Sequence, residues 1–209
     1  YVGSRVKQDI PVFEGIPKNV SNDELKGLGA ALASSGAVAL FHVVGVTPEA
    51  ASFKDAFGGK KPEYVLNFGL KEKEATESLL NKEKSGDVDW VVTGCPHASI
   101  KEFYDIAKAL SGRKIKDGVA FWVLASLPIK AMAERMGYTK IITDAGGVIV
   151  CDTCPVLLPA RRLAEKMNYK SVTTNSAKMA NLTAGQFGLF SRYGQLEQIV
   201  DAAVKGIWR

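Results

Sequence analysis

The chain has 209 residues, of which 46% are hydrophobic and 23% charged, a composition typical of a folded globular protein with a sizeable core. Its apolar runs are shorter than the roughly 18 residues that a membrane-spanning helix needs, and no signal peptide is expected. The net charge of +5 comes from lysines interleaved with acidic residues. Interleaved charges of this kind are typical of solvated helix faces. No nucleic-acid-binding motif is visible, and the excess of positive charge suits an anionic small substrate.

Strand-like and helix-like segments alternate along the first part of the chain. A capping box formed by Ser21 and Glu24 indicates where its first helix begins. The predicted elements are, in order, a helix over 21–33, a buried strand over 37–44, a helix from 47, a short strand over 64–67 and a helix over 72–80.

The alternation is clearer in the second part, where Ser99 and Glu102 form another capping box. The strands are predicted over 88–92, 118–124, 141–143, 148–150 and 171–173, and the helices over 99–110, 128–137, 159–167 and 196–204. This rhythm predicts an α/β protein with three α/β/α layers and a mainly parallel sheet. The polar stretch 81–87 is the predicted boundary between two subdomains, 1–85 and 86–209.

The three cysteines fall in two clusters, each directly after a predicted strand. Cys95 follows the strand over 88–92, and Cys151 and Cys154 follow the strand over 148–150. In a parallel sheet these positions lie in the crevice at the carboxyl ends of the strands, where ligands bind. Thiolates hold iron–sulfur clusters and zinc, so we expect a shared inorganic site here. The alternative is that the cysteines are small buried hydrophobic residues. So few cysteines exclude a disulfide scaffold and favour a reducing cytoplasm.

Two other interpretations of the cysteines carry less weight. Cys151 and Cys154 form a Cys-x-x-Cys, but the motif lies late in the chain and lacks the setting of a redox-active thioredoxin motif. Cys95 and His97 could complete a zinc site with this pair, although a Cys-x-His pair is unusual for structural zinc.

Four segments together resemble a known family. They are the stretch 25–50, Gly-Cys-Pro-His at 94–97, Asp-Thr-Cys-Pro at 152–155 and Thr-Asn-Ser-Ala-Lys-Met-Ala at 174–180. In order and through almost the whole chain, they are similar to the catalytic subunit of the aconitase X family. The resemblance implies an iron–sulfur lyase that removes water from a hydroxylated carboxylate. It also implies that this chain corresponds to the C-terminal half of the large subunit, inactive alone. Its partners would be the N-terminal half and a small swivelling-domain subunit.

The resemblance favours one activity over another. Archaeal two-subunit members of the family dehydrate phosphomevalonate to trans-anhydromevalonate phosphate on a mevalonate route to isoprenoids, and we expect this activity. Bacterial fused members, which dehydrate cis-3-hydroxy-L-proline, are the nearest alternative. A metal-free, non-catalytic assembly domain is a third.

The resemblance also implies roles for the cysteines. Cys95 and Cys154 match two ligands of a 4Fe–4S-type cluster whose third cysteine comes from the N-terminal half. Cys151 is then a strand-end residue, although Cys95, Cys151 and Cys154 together also resemble the three-cysteine set of ordinary aconitases. His97 either contacts substrate or fixes its loop by donating to a backbone carbonyl, and we favour the loop role.

Lys178 is the best candidate for binding substrate, because it follows a short strand and should emerge into the crevice that holds the cysteines. Its ammonium can pair with a carboxylate or phosphate, and Asn175 and Ser176 can add neutral hydrogen bonds. The alternative is a capped helix start with an exposed lysine. The catalytic base is not identifiable from the sequence.

Overall fold

The computed structural model describes residues 1–83 and 85–209, and contacts divide the chain into two compact units, Tyr1–Thr76 and Glu77–Arg209. The division precedes the boundary at residue 85 that we predicted. The residues in between belong with the second unit because the Ser191 hydroxyl donates to the Leu80 carbonyl (2.7 Å) and the Lys82 N–H donates to the Ser191 carbonyl (3.0 Å). Among the described residues, no helix has the length and apolar character needed to cross a membrane.

The first unit is built from short elements. They are helices α1 (Val2–Val6), α2 (Asn22–Gly36), α3 (Phe53–Ala56) and the start of α4 (Leu70–Leu80), a 3₁₀ turn over Pro48–Ala50, and parallel strands β1 (Val12–Phe13) and β2 (His42–Val43). The capping box at Ser21 is confirmed. The strand predicted over 37–44 is reduced to β2, and the strand predicted over 64–67 is wrong. Tyr64 and Val65 are exposed, and β-propensity without a paired neighbour does not make a strand.

The second unit contains a five-stranded parallel sheet in the order β6-β5-β4-β7-β8. Its strands are β4 (Trp90–Thr93), β5 (Ala120–Ala125), β6 (Val148–Cys151), β7 (Ser171–Thr174) and β8 (Phe190–Tyr193), with a separate antiparallel pair β3 (Gly86–Asp87) and β9 (Ile207–Trp208). Its helices are α5 (Ile100–Leu110), α6 (Leu127–Arg135), α7 (Tyr138–Asp144), α8 (Ala160–Met167), α9 (Ala177–Phe187) and α10 (Leu196–Lys205).

Alternating strand side chains enter two separate cores, one on each face of the sheet. Val91 and Val123 pack in the core that α5, α6, α7 and α10 cover. Trp90, Val92 and Leu124 pack in the core that α8 and α9 cover. Because both faces are buried, the central strands are almost continuously apolar. The predicted three-layer α/β/α fold with a parallel sheet is confirmed.

Two local predictions failed for opposite reasons. Residues 141–143 were predicted as a strand, but they lie in α7, where Tyr138, Ile141 and Ile142 recur at helical spacing and pack against the core. Packing of that face outweighs the β-propensity of isoleucine. Strand β8 was missed because its central residues, Ser191 and Arg192, are polar although both are buried.

Arg192 is 1% exposed, and its guanidinium is held by polar groups from three segments. Its Nη1 donates to the Asp87 carbonyl and to the Ser171 hydroxyl, and its Nη2 pairs with the Glu83 carboxylate. A buried charge is tolerated only when it is paired and hydrogen-bonded in this way. Arg192 therefore ties the chain that follows α4 to β7 and β8.

Replacing Arg192 with Met should lower the free energy of unfolding by about 2 kcal/mol, because it leaves the Asp87 carbonyl and the Ser171 hydroxyl without their charged donor while keeping most of the side-chain volume. Arg113 is the matched control, since its ion pair with Asp201 is partly exposed on both sides. Arg113→Met should cost less than about 1 kcal/mol. Urea unfolding of both variants measures the difference, and equal losses would contradict the role given to Arg192.

Candidate functional site

A crevice is expected where the strand order of the sheet reverses. From β4 the chain moves outward through β5 to β6 and then returns to place β7 on the other side of β4. The connection after β4 leads to α5 on one face, whereas the connection after β7 leads to α9 on the other. The loops diverge, so the crevice opens between the carboxyl ends of β4 and β7, where open α/β sheets bind ligands.

The loop after β4 carries Cys95 and packs tightly on β5. Gly94 has a φ of +79°, and a Cβ there would lie 2.2 Å from the Leu124 carbonyl oxygen. The Ala98 N–H donates to that same carbonyl (2.8 Å). Cys95 is 7% exposed and belongs to the core that α8 and α9 cover. The close approach at Gly94 therefore fixes the position of the cysteine.

Replacing Gly94 with Ala should lower the free energy of unfolding by about 3 kcal/mol, since backbone strain at positive φ adds to a clash with backbone. Gly112 is the control, because its φ is +69° and, among the described residues other than its chain neighbours, no atom lies within 4 Å of an added Cβ. Gly112→Ala should cost only about 1 kcal/mol from strain alone. Thermal or urea unfolding separates the two, and similar losses would show that the contact with Leu124 is unimportant.

The loop after β6 carries Cys154 and is anchored at two points. Asp152 accepts a hydrogen bond at its Oδ1 from the Leu127 N–H (3.0 Å) at the start of α6. His97 Nε2 donates to the Thr153 carbonyl (2.8 Å), which joins this loop to the loop of Cys95. His97 thus makes the backbone contact that its loop-fixing role requires.

Cys95 and Cys154 lie on the same side of the sheet. Cys154 packs against the core that contains Cys95 and lies close enough to raise the pKa of the Cys95 thiol. Cys151 is the last residue of β6, where side chains alternate between faces: Val150 packs on the Cys95 side and Ile149 on the opposite side. Cys151 therefore shares the face of Ile149.

Charges around the cysteines agree with this division. Burial raises the pKa of Cys95; the positive charge of Lys178 and a hydrogen bond from Ser176 lower it, and Cys154 raises it. Burial also raises the pKa of Cys151, but there the lowering charge is Lys130 on α6. Cys95 and Cys151 therefore lie in different electrostatic environments. Lys178 lies in the environment of Cys95 and Cys154.

The start of α9 is locked to the Cys95 loop. Ser176 is buried; its oxygen accepts the Met179 N–H (3.1 Å) as a helix cap, and its hydroxyl donates to the Cys95 carbonyl. Lys178 lies in the first turn of this helix and is half-buried. Among the described residues, none forms a salt bridge with it. The alternative of a capped helix start is thus correct for Ser176, while the lysine is not fully exposed.

Asn175 lies between the end of β7 and this cap. Its Oδ1 accepts a hydrogen bond from the hydroxyl of Thr93, the last residue of β4 (2.9 Å). Sequence reasoning missed Thr93, Asp152 and the carbonyl of Thr153. The signal for Thr93 was a hydroxyl that ends an apolar strand directly before a glycine.

The donor set fits part of an iron–sulfur site. Two thiols on one side of the sheet are suitable soft ligands, and the positive charge of Lys178 favours the thiolate form of Cys95. Across residues 1–83 and 85–209, however, no three Cys, His, Asp or Glu side chains form a group able to hold a metal ion. A cluster held by Cys95 and Cys154 therefore requires ligands from outside the described part of this chain.

Comparison with known proteins agrees with the two-unit division. Residues 1–78 match the family model for the aconitase X second domain, and residues 88–205 match the aconitase X third domain. The chain is 44% identical to the phosphomevalonate dehydratase large subunit of Methanocaldococcus jannaschii, over 86% of this chain and 42% of that protein. It is 34% identical to the cis-3-hydroxy-L-proline dehydratase of Pseudomonas aeruginosa, over 94% of this chain and 34% of that protein.

A solved structure is similar throughout the chain. The crystal structure of Thermococcus kodakaraensis aconitase X in its holo-form superposes with a TM-score of 0.82 at 31% identity, covering 97% of this chain and 49% of that one. The chain thus spans less than half the length of these relatives. Matches to two consecutive domain models, together with this structural similarity, show that the chain belongs to the aconitase X family.

Proposed function

We propose that the chain is part of the large subunit of an iron–sulfur hydro-lyase that dehydrates (R)-5-phosphomevalonate to trans-anhydromevalonate 5-phosphate. The observation that supports the proposal is that Cys154 packs against the core that contains Cys95, while Lys178 lies close enough to Cys95 to lower the pKa of its thiol. The 44% identity to a phosphomevalonate dehydratase large subunit supports the choice of substrate.

In this proposal Cys95 and Cys154 hold one side of a cluster of 4Fe–4S type. When bound, such a cluster supplies Lewis acidity for the departure of a hydroxyl group. The chain itself keeps the two thiols in place: Gly94 and Ala98 hold the first loop against β5, and His97 joins it to the second. The apolar core beneath Cys95 keeps water away from that side.

Lys178 binds and orients the anionic part of the substrate. Lys178 is half-buried, and its ammonium adds to the positive charge that the N–H groups at the start of α9 present to the crevice. Such an arrangement suits the phosphate or the carboxylate of phosphomevalonate. The group that removes the proton is proposed to lie in the part of the large subunit that this chain does not cover.

Cis-3-hydroxy-L-proline is the second candidate substrate, favoured by the relative that is 34% identical over 94% of this chain. Its carboxylate would use the same groups. It carries no phosphate, so the two candidates differ in the charge that the site must bind.

The relatives' names support an assembly. Because the similar archaeal proteins are named large subunits and this chain covers 42% of one of them, we propose that it works with the rest of a large subunit and with a small subunit. We place this assembly in the cytoplasm, where thiol ligands stay reduced.

The test is dehydration by the assembled enzyme. The chain, joined to the remainder of a large subunit and combined with the small subunit, is loaded with iron and sulfide without oxygen. It is then incubated separately with phosphomevalonate and cis-3-hydroxy-L-proline. Mass spectrometry should show loss of water from phosphomevalonate. Turnover of hydroxyproline alone selects the second candidate, and turnover of neither rejects both.

A further inference from the structure

We propose that Thr93 is a positioning residue that fixes the Asn175 side-chain amide with its NH₂ group facing the crevice. The start of the helix Ala177–Phe187 then presents hydrogen-bond donors to the crevice and favours the anionic groups of its ligand. The inference rests on the proposed role of this crevice in binding substrate, but it does not depend on which of the candidate substrates is used.

The hydroxyl of Thr93 is the first step of the argument. Thr93 ends the strand Trp90–Thr93 and is 2% exposed. A buried hydroxyl in an apolar strand is unfavourable unless it is hydrogen-bonded, and valine would fill the same space. Among the described residues, the Thr93 hydroxyl forms a hydrogen bond only with Asn175 Oδ1, at 2.9 Å. The hydroxyl therefore serves to hold this amide.

The orientation of the amide follows from that bond. With Oδ1 held by Thr93, the Nδ2 group lies on the other branch of the planar amide and points away from β4. Within the described part of the chain, Nδ2 has no hydrogen-bond acceptor. It is also not a buried atom. Asn175 is half-buried, so its Nδ2 reaches solvent at the mouth of the crevice.

The groups next to this NH₂ are also donors. Ser176 caps α9 by accepting the Met179 N–H, which leaves the N–H groups of Ala177 and Lys178 without a carbonyl partner inside the helix. Lys178 adds an ammonium, and the first turn of α9 contains no acidic residue. A cation at a helix N-terminus opposes the helix dipole, so this arrangement favours a bound anion.

The opposite amide orientation would change what the crevice binds. An exposed Oδ1 would repel a carboxylate or phosphate and accept hydrogen bonds from neutral donors instead. In the structure Thr93 opposes this orientation by donating to Oδ1, and a reversed amide would require its hydroxyl to give up that bond and accept from Nδ2 instead. Loss of the hydroxyl should thus weaken anion binding and reduce the preference for charged over neutral ligands.

The test uses the whole chain, labelled with ¹⁵N, and follows the side-chain amide resonances of Asn175. Inorganic phosphate is one probe, and acetate with its neutral analogue acetamide is a matched pair. In the wild-type protein the Asn175 NH₂ resonances should shift with phosphate and acetate but not with acetamide. Thr93→Val should weaken phosphate binding about tenfold, as expected for the loss of one organised hydrogen bond to a charged group. The preference for acetate over acetamide should fall with it.

Two controls separate positioning from folding. Thr93→Ser keeps the hydroxyl and should bind phosphate within about twofold of the wild type. Thr173→Val removes a buried hydroxyl that has no partner among the described residues, on the neighbouring strand, and should leave binding unchanged. If Thr93→Val fails to fold, Thr93→Cys, whose thiol is a weaker donor, should give an intermediate loss.

The inference is overturned if phosphate leaves the Asn175 NH₂ resonances unmoved, if Thr93→Val binds as the wild type does, or if Thr93→Ser is as weak as Thr93→Val. These outcomes are independent of catalysis. Water loss in the assembled enzyme with an unmoved Asn175 overturns this inference and leaves the dehydratase proposal intact. A shifted Asn175 in an assembly that releases no water supports the inference and rejects the dehydratase.

Discussion

Serine in place of Cys154 should abolish the cluster absorbance of the assembled enzyme, and serine in place of Cys95 should do the same. Each substitution removes one of the two thiols that lie on the Cys95 side of the sheet, while changing side-chain volume very little. Cysteine thiolates hold iron–sulfur clusters, so we expect the cluster to be lost with either thiol. The measurement is the visible absorbance and the iron content after anaerobic reconstitution, with circular dichroism to show that the fold is kept.

Cys151→Ser is the matched control for this prediction. Cys151 lies on the opposite face of the edge strand β6, near Lys130 rather than Lys178. The variant should therefore keep its cluster and its iron. Loss of absorbance in Cys151→Ser would contradict the assignment and would favour the three-cysteine set of ordinary aconitases.

Lys178→Met should raise KM for phosphomevalonate by about 10- to 100-fold, the range expected for losing a hydrogen bond between charged groups. The substitution keeps the length of the side chain and removes only its charge and donors. Because Lys178 has no salt-bridge partner among the described residues, stability should change little. Steady-state kinetics of the assembled enzyme measures the effect.

Lys170 gives the control for that experiment, since it directly precedes the strand Ser171–Thr174 and lies at its amino end. Its side chain is exposed, and its one hydrogen bond to the described residues is local, to Asn168. Lys170→Met should leave KM unchanged. Equal effects at both lysines would mean that net charge, not the crevice, attracts the substrate.

Much of the fold could be predicted from the sequence because local signals and packing agree there. The capping boxes at Ser21 and Ser99 mark real helix starts, and the apolar run ending at Thr93 is a central strand. Where they disagree, prediction failed. Residues 141–143 are helical because Ile141 and Ile142 pack against the core together with Tyr138, one turn earlier. Strand β8 forms although Arg192 is buried, because other segments pair with both of its terminal nitrogens.

The candidate site could be predicted only in part. That Cys95, Cys154 and Lys178 follow strands is visible in the sequence, but the strand order that makes β4 and β7 neighbours is not. Thr93 meets Asn175 because Val92 pairs with Thr174 in the sheet, and register is a property of the folded protein. The face of Cys151 likewise depends on β6 extending to that residue.

The most direct test of the account is a crystal structure of the assembled enzyme, prepared without oxygen and measured at the iron absorption edge. We expect anomalous density for iron bonded to the sulfur atoms of both Cys95 and Cys154, with Lys178 facing the same crevice. Iron bonded to Cys151, or density remote from both Cys95 and Cys154, would contradict it.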